Sequence, residues 1–155
     1  MEEKLVSLLQ EKKMTITTAE SCTGGMVASK IINVSGASEV FCEGFITYAN
    51  SAKEKYAGVL KETLDKHGAV SSQVAMEMAE GVAKNTGADV SVSVTGIAGP
   101  NGGTKEKPVG LVYIGCFIGG SAYYKECRFE GERFEIREQS ANKAIEFACG
   151  LIESM

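Results

Sequence analysis

The chain has 155 residues, 44% hydrophobic and 23% charged, with a formal net charge of −4. That composition excludes a disordered tract and describes a single globular domain over 1–155, long enough to bury roughly 70% of the surface its unfolded form would expose. Lysine and arginine are scattered and number 16 against 20 acids, which excludes a nucleic-acid surface built on a basic stripe.

In chain order, residues 2–13 read as a helix, with Leu5, Leu8 and Leu9 in one stripe, acids first and Lys12 and Lys13 last, as the helix dipole favours. Residues 14–18 read as a strand, and a short AES segment leads to a helix over 22–33 carrying Met26, Val27 and Ile31. A strand over 40–48 precedes a helix over 51–57 that Asn50 or Ser51 could cap. A short helix over 60–67 stops at Gly68, and another begins at Ser71 or Ser72 and stops at Gly87. Residues 89–95 alternate valine with serine or threonine, a strand with one face of small side chains, followed by the loop GIAGPNGGTKEKP. Strands over 109–118 and 121–129 form a hairpin about Gly119-Gly120, and a helix over 132–153 closes the chain. Strands interleaved with helices predict a three-layer α/β/α sandwich with a mixed, mostly parallel sheet, a C-terminal β-hairpin and a long final helix. Ligands in such sheets sit beyond the carboxyl ends of the strands. Three segments gather there: 19–25, 48–53 and 95–104.

The five cysteines, Cys22, Cys42, Cys116, Cys127 and Cys149, form no CxxC pair, and His67 is the only histidine. A structural zinc site is therefore not expected, and the thiols suit a reducing cytoplasm. The N-terminus runs acidic to basic, the reverse of a signal peptide. No run reaches the about 18 apolar residues of a membrane helix.

Ser21 follows a strand end and opens what reads as a helix, where unpaired backbone N–H groups could hold an oxyanion or a phosphate. Gly24 and Gly25 would let a ligand approach the backbone. A capping serine with close helix packing accounts for the same spacing equally well. Tyr48 closes a strand, and Lys53 falls in the first turn of the next helix, where the dipole opposes its charge. A lysine with a lowered pKa can serve as the base for a serine, although a solvated lysine such as Lys55 is the commoner case. The glycines that follow Thr95 could form an anion nest or a simple connection. Arg133 and Arg137 share a helix face and suit a phosphate clamp, or pairing with Glu130 or Glu132. Ser140-Ala141-Asn142-Lys143 matches SxxK by chance inside a helix, and His67 reads as a dipole partner at a helix end.

TTAESCTGG, SGASEVFCEGFITYANSAKEKYAGV, HGAVS, VTGIAGPNGG and EKPVGLVYIG, in that order, resemble the CinA C-terminal domain family over nearly the whole chain. Longer members carry an N-terminal molybdopterin-binding-like domain, for which this chain has no room. The resemblance implies hydrolysis of the amide of nicotinamide mononucleotide, giving nicotinate mononucleotide and ammonia without a cofactor. It places the nucleophile at Ser21 and its partners at Tyr48 and Lys53. Ala49 and Ser51 stand where many relatives carry Ser and Glu, which bears on substrate range. The substrate-binding set expected is Cys22, Thr23, Gly24, Gly25, Asn50, Thr95, Gly96, Gly99 and Arg137. A pyridine mononucleotide is the expected partner, and the family suggests a homo-oligomer, a dimer or larger. The alternatives are a nucleotide-binding or regulatory domain without turnover, and an amidase for another small amide.

Overall fold

The computed structural model describes residues 1–155. In chain order the elements are α1 (Glu2–Lys12), β1 (Ile16–Glu20), α2 (Met26–Ile32), a 3₁₀ turn (Ala37–Glu39), β2 (Phe41–Ile46), α3 (Asn50–Ala57), α4 (Lys61–His67) and α5 (Ser72–Thr86). β3 (Val90–Gly96), β4 (Leu111–Ile118), β5 (Ser121–Arg128) and α6 (Arg133–Glu153) complete the chain. The strands form one sheet in the order β2-β1-β3-β4-β5. β1 pairs in parallel with β2 and with β3, while β4 runs antiparallel between β3 and β5. Four strands thus point one way, and the reversal is set by the hairpin, where Gly119 and Gly120 both take positive φ.

Helices α1, α2 and α6 cover one face of the sheet, and α3, α4 and α5 the other. A core cluster lies under each layer: Ile16, Val92 and Ile145 belong to one, Ala19, Met78 and Val82 to the other. β1, central and covered on both faces, is buried at every position. No helix is long and apolar enough to cross a membrane, and all five cysteines are free thiols.

The small face of β3 exists to bring α5 close. Ser91 and Ser93 donate their hydroxyls to the α5 carbonyls of Ala79 and Ala75, and Thr95 donates to Ala69 O at 2.8 Å. A side chain at Gly115 would put its Cβ 2.2 Å from Ala75 O, so β4 can approach α5 only as glycine there. Gly81 does the same for α3, because a Cβ at that point would lie 1.6 Å from Ala57 O. α3 consequently sinks against α5, and this depth buries Lys53.

The largest boundary differences lie around the end of β1; in addition β2 stops at Ile46, so Tyr48 lies in the connection to α3 and does not close a strand. β1 runs two residues further than the strand read over 14–18, because Ala19 and Glu20 still pair with β2 and β3. α2 starts at Met26 rather than near residue 22, since Gly24 (φ 57°) and Gly25 (φ 106°) adopt backbone that a right-handed helix cannot contain. Residues 21–25 therefore form a turn, and Ser21 is not in a helical first turn. Neither Asn50 nor Ser51 caps α3, whose N-cap is Ala49 and makes no side-chain bond. Ser71 does cap α5, accepting from Val74 N at 3.2 Å.

Candidate active site

β1 and β3 end side by side, and the chain leaving each one turns over the carboxyl edge of the sheet. Ser21, immediately after β1, donates its N–H to Val94 O and so remains tied to β3. The β2–α3 connection brings Thr47 and Tyr48, and the start of α3 brings Lys53, to the same edge, with Thr47 N bonded to Glu20 O at 2.8 Å. Between these segments and the loop after β3 lies a cavity of about 280 Å³.

Ser21 is 8% exposed, and its Oγ lies 3.1 Å from Lys53 Nζ. Lys53 is 1% exposed and donates also to the carbonyls of Thr47 (3.0 Å) and Tyr48 (3.1 Å). No acidic side chain lies within ion-pairing distance of it. An ammonium withdrawn from water without a counter-charge is costly, so burial pushes the Lys53 pKa below the usual 10.5, opposed in small part by Cys22. Two carbonyls hold two of the Nζ–H groups. The third direction faces Ser21 Oγ, where a neutral amine presents its lone pair. The arrangement is that of a serine with an amine base.

Cys22 is not a competing nucleophile, because burial pushes its thiol up to about 11. It lines the cavity, and its backbone N–H donates to no protein acceptor. The N–H of the residue after a nucleophile is a common oxyanion donor. The first N–H groups of α2 do not fill that role, because they are taken: Met26 N donates to Thr23 O at 3.1 Å, Val27 N to Glu20 Oε1 at 2.8 Å and Ala28 N to Glu20 Oε2 at 3.0 Å. The oxyanion donors are to be sought in the turn itself.

Of the residues picked from sequence, Ser21, Cys22, Tyr48, Asn50, Lys53, Thr95, Gly96 and Gly99 surround the cavity. Thr23, Gly24, Gly25 and Arg137 do not. Thr23 is fully buried, and Arg137 lies behind the turn, its Nε donating to Cys22 O (2.8 Å) and its Nη2 to Thr23 O (3.2 Å). The arginine on the cavity is Arg133, one turn before Arg137 on α6 and outside the expected binding set. It donates to Gly99 O at 2.7 Å and to the Tyr48 hydroxyl at 3.2 Å. Tyr48 is 62% exposed, and that hydroxyl meets Arg133 rather than Ser21 or Lys53. Its carbonyl is the part that touches the base. Ala69 and Val70, from the HGAVS segment, and Asn101 also line the cavity, outside the expected binding set. Only the resemblance carried a signal for HGAVS.

The CinA C-terminal domain family model matches residues 1–152. The chain belongs to the CinA C-terminal domain family. A CinA-like protein of Kosmotoga olearia is 56% identical over 147 residues, covering 95% of this chain and 36% of that protein. The chain thus spans about a third of the length of the curated relatives it matches. Among solved structures, the competence/damage inducible protein CihA from Agrobacterium tumefaciens is 41% identical, with a TM-score of 0.93 over 97% of this chain and 94% of that one. A CinA superfamily protein from Klebsiella pneumoniae, 28% identical, gives a TM-score of 0.95 over 99% and 96%. The CinA fold here is therefore the same α/β sandwich down to the final helix.

Proposed function

We propose that this CinA-family chain is an amidohydrolase that converts nicotinamide mononucleotide and water to nicotinate mononucleotide and ammonia in the cytoplasm. The observation that carries the reading is the buried Lys53 Nζ, without a counter-ion, 3.1 Å from Ser21 Oγ on the wall of a cavity. A buried lysine that served only packing would gain nothing from this position, and an apolar residue would avoid the desolvation cost.

Lys53, neutral, takes the Ser21 proton directly, and Oγ forms a bond to the carboxamide carbon. The Cys22 N–H binds the resulting oxyanion; one such donor is typically worth ~10²–10³ in rate. The tetrahedral intermediate collapses by breaking the C–N bond, and the proton held by Lys53 goes to the leaving nitrogen, which departs as ammonia. Water then attacks the acyl-enzyme. Lys53 takes one water proton and returns it to Ser21 Oγ, and the acid that leaves gives its remaining proton to ammonia or solvent to become the carboxylate. The chemistry asks for no metal ion or organic cofactor.

The substrate class follows from charge. With Lys53 resting as a neutral amine, the charge the cavity presents is the Arg133 guanidinium, and no acidic side chain lines it, which favours an anion. Arg133 is the candidate for the phosphate, with Asn50 and Asn101 available to ribose hydroxyls. The test is incubation of purified protein with nicotinamide mononucleotide, followed by mass-resolved product and ammonia release. Conversion in the wild type and its loss in Ser21→Ala are expected. Absence of ammonia from this substrate, with release from another small amide, would overturn the substrate and keep the Ser–Lys chemistry. No turnover of any amide would favour a binding domain.

A further inference from the structure

Glu20 and Arg137 are two charged side chains at the site for which the proposed chemistry has no use; Arg137 bonds a five-residue turn, and Glu20 spans it from one end to the other. Glu20 is 1% exposed and closes β1 directly before the nucleophile. Its carboxylate reaches past the turn to the N–H groups of Val27 and Ala28 in α2. A local cap is ruled out by geometry: Gly25 is the N-cap residue and has φ 106°, backbone that a serine or aspartate would adopt only under strain. Glu20 supplies the cap from outside and thereby fixes the distance between the end of β1 and the start of α2. Arg137, from α6, holds the opposite polarity, the carbonyls of Cys22 and Thr23.

The trans peptide unit sets its N–H antiparallel to its C=O. Drawing the Cys22 and Thr23 carbonyls onto Arg137 aims the N–H groups of Thr23 and Gly24 the other way, so Arg137 acts on the Cys22 N–H only through Gly24. Ser21 O is taken by Gly24 N at 3.1 Å, which closes the turn and fixes the Ser21–Cys22 peptide. The N–H groups of Cys22 and Thr23 are left without a protein acceptor, although Cys22 is 6% exposed and Thr23 fully buried. Buried N–H groups are rarely left unpaired unless something else is to fill them.

We propose that Glu20 and Arg137 are positioning residues, a two-sided brace that holds the 21–25 turn so that the Cys22 N–H stays free to bind the oxyanion formed at Ser21. Neither touches substrate. This rests on the serine-hydrolase reading of the site. It departs from the expectation that Arg137 grips phosphate.

The experiment measures two rates on the full chain and on Glu20→Gln and Arg137→Gln: turnover of nicotinamide mononucleotide, and covalent labelling of Ser21 by a small fluorophosphonate, read by intact mass. Labelling needs the nucleophile, its base and the oxyanion donor but no particular amide substrate, so it decides the brace even where turnover of this nucleotide fails. If Ser21→Ala labels as the wild type does, the nucleophile reading itself is wrong. Each brace variant is expected to label at least tenfold more slowly and to lose kcat by a similar factor. KM should change less than threefold, and the pH midpoint set by Lys53 should not move. The preference for the nucleotide over nicotinamide riboside should be unchanged in Arg137→Gln. Where a Gln variant does not fold, Ala28→Pro removes one N–H from Glu20 and Arg137→Lys keeps the charge but not the fork; both should show the same pattern. Labelling within twofold of wild type in folded variants would overturn the brace. So would a loss in Arg137→Gln confined to the phosphate-bearing substrate, which would make Arg137 a phosphate ligand.

Discussion

Lys53 and Lys55 sit two residues apart on α3, yet Lys53 is buried to 1% exposure and Lys55 is exposed. Replacement of either by alanine removes one charge from the same short helix, so a shared electrostatic effect would show in both. Lys53→Ala is expected to lower kcat by about 10²–10⁴-fold, the usual span for a general base, and Lys55→Ala to leave it within twofold of wild type; steady-state kinetics on both decides. The lowered Lys53 pKa carries two consequences of known sign. Activity should rise with pH as the ammonium loses its proton, with a midpoint below 10.5, and a profile of kcat/KM against pH measures it. Stability follows by linkage: between the depressed folded pKa and the unfolded value of 10.5, the unfolded chain binds more protons, so stability increases with pH across that window and is lost as pH falls through the folded pKa. Because the buried thiols of Cys22 and Cys116, whose pKa values are raised, oppose it in the same window, the Lys53 contribution is read as a difference: the gap in melting temperature between Lys53→Met and wild type should change with pH across that window in favour of wild type as pH rises.

At the scale of elements, the depth of α3 depends on a glycine in the middle of α5. Gly81→Ala would ordinarily favour a helix by about 1 kcal/mol. Here the added Cβ would meet the Ala57 carbonyl at 1.6 Å, far inside contact distance and against backbone. We expect Gly81→Ala to lower the melting temperature and to reduce kcat, because α3 must shift and it carries Lys53. Ser71→Ala is the control on the same helix. It removes the cap bond to Val74 N and should cost about 1 kcal/mol in denaturant melts, with little change in kcat.

For the molecule as a whole, the cavity lies where strand ends, the turn after β1 and the first residue of α6 converge, and the charge it presents is the Arg133 guanidinium with no acid to oppose it. Hydrolysis should therefore depend on the substrate phosphate. Nicotinamide mononucleotide is expected to exceed nicotinamide riboside and free nicotinamide in kcat/KM by well over tenfold, since a charge-assisted hydrogen bond contributes ~1.5–3 kcal/mol. Arg133→Gln should erase most of that preference while leaving the riboside rate nearly unchanged. Comparable values for the three compounds in the wild type would show that no phosphate contact contributes to catalysis.

Element order, the hairpin and the three layers were legible because each is encoded locally: apolar periodicity for α1, α5 and α6, paired glycines at 119 and 120, a capping serine at 71. The gathering of Ser21, Tyr48 and Lys53 was legible through motif order rather than through spacing. What the chain did not encode locally was the outcome of competition for partners. Glu20 and Val27 are seven positions apart, and nothing in that separation announces a carboxylate closing on a helix start. Arg133 and Arg137 are equivalent on a helical wheel. One faces the cavity and the other the back of a turn only because α6 crosses β3 and β4 at a particular height. The burial of Lys53, which turns an ordinary cation into a base, depends on Gly81 twenty-eight residues away in sequence. Local pattern determines which elements form, because it acts through neighbouring backbone. Which polar group meets which, and which charge loses its water, is decided only when distant elements pack.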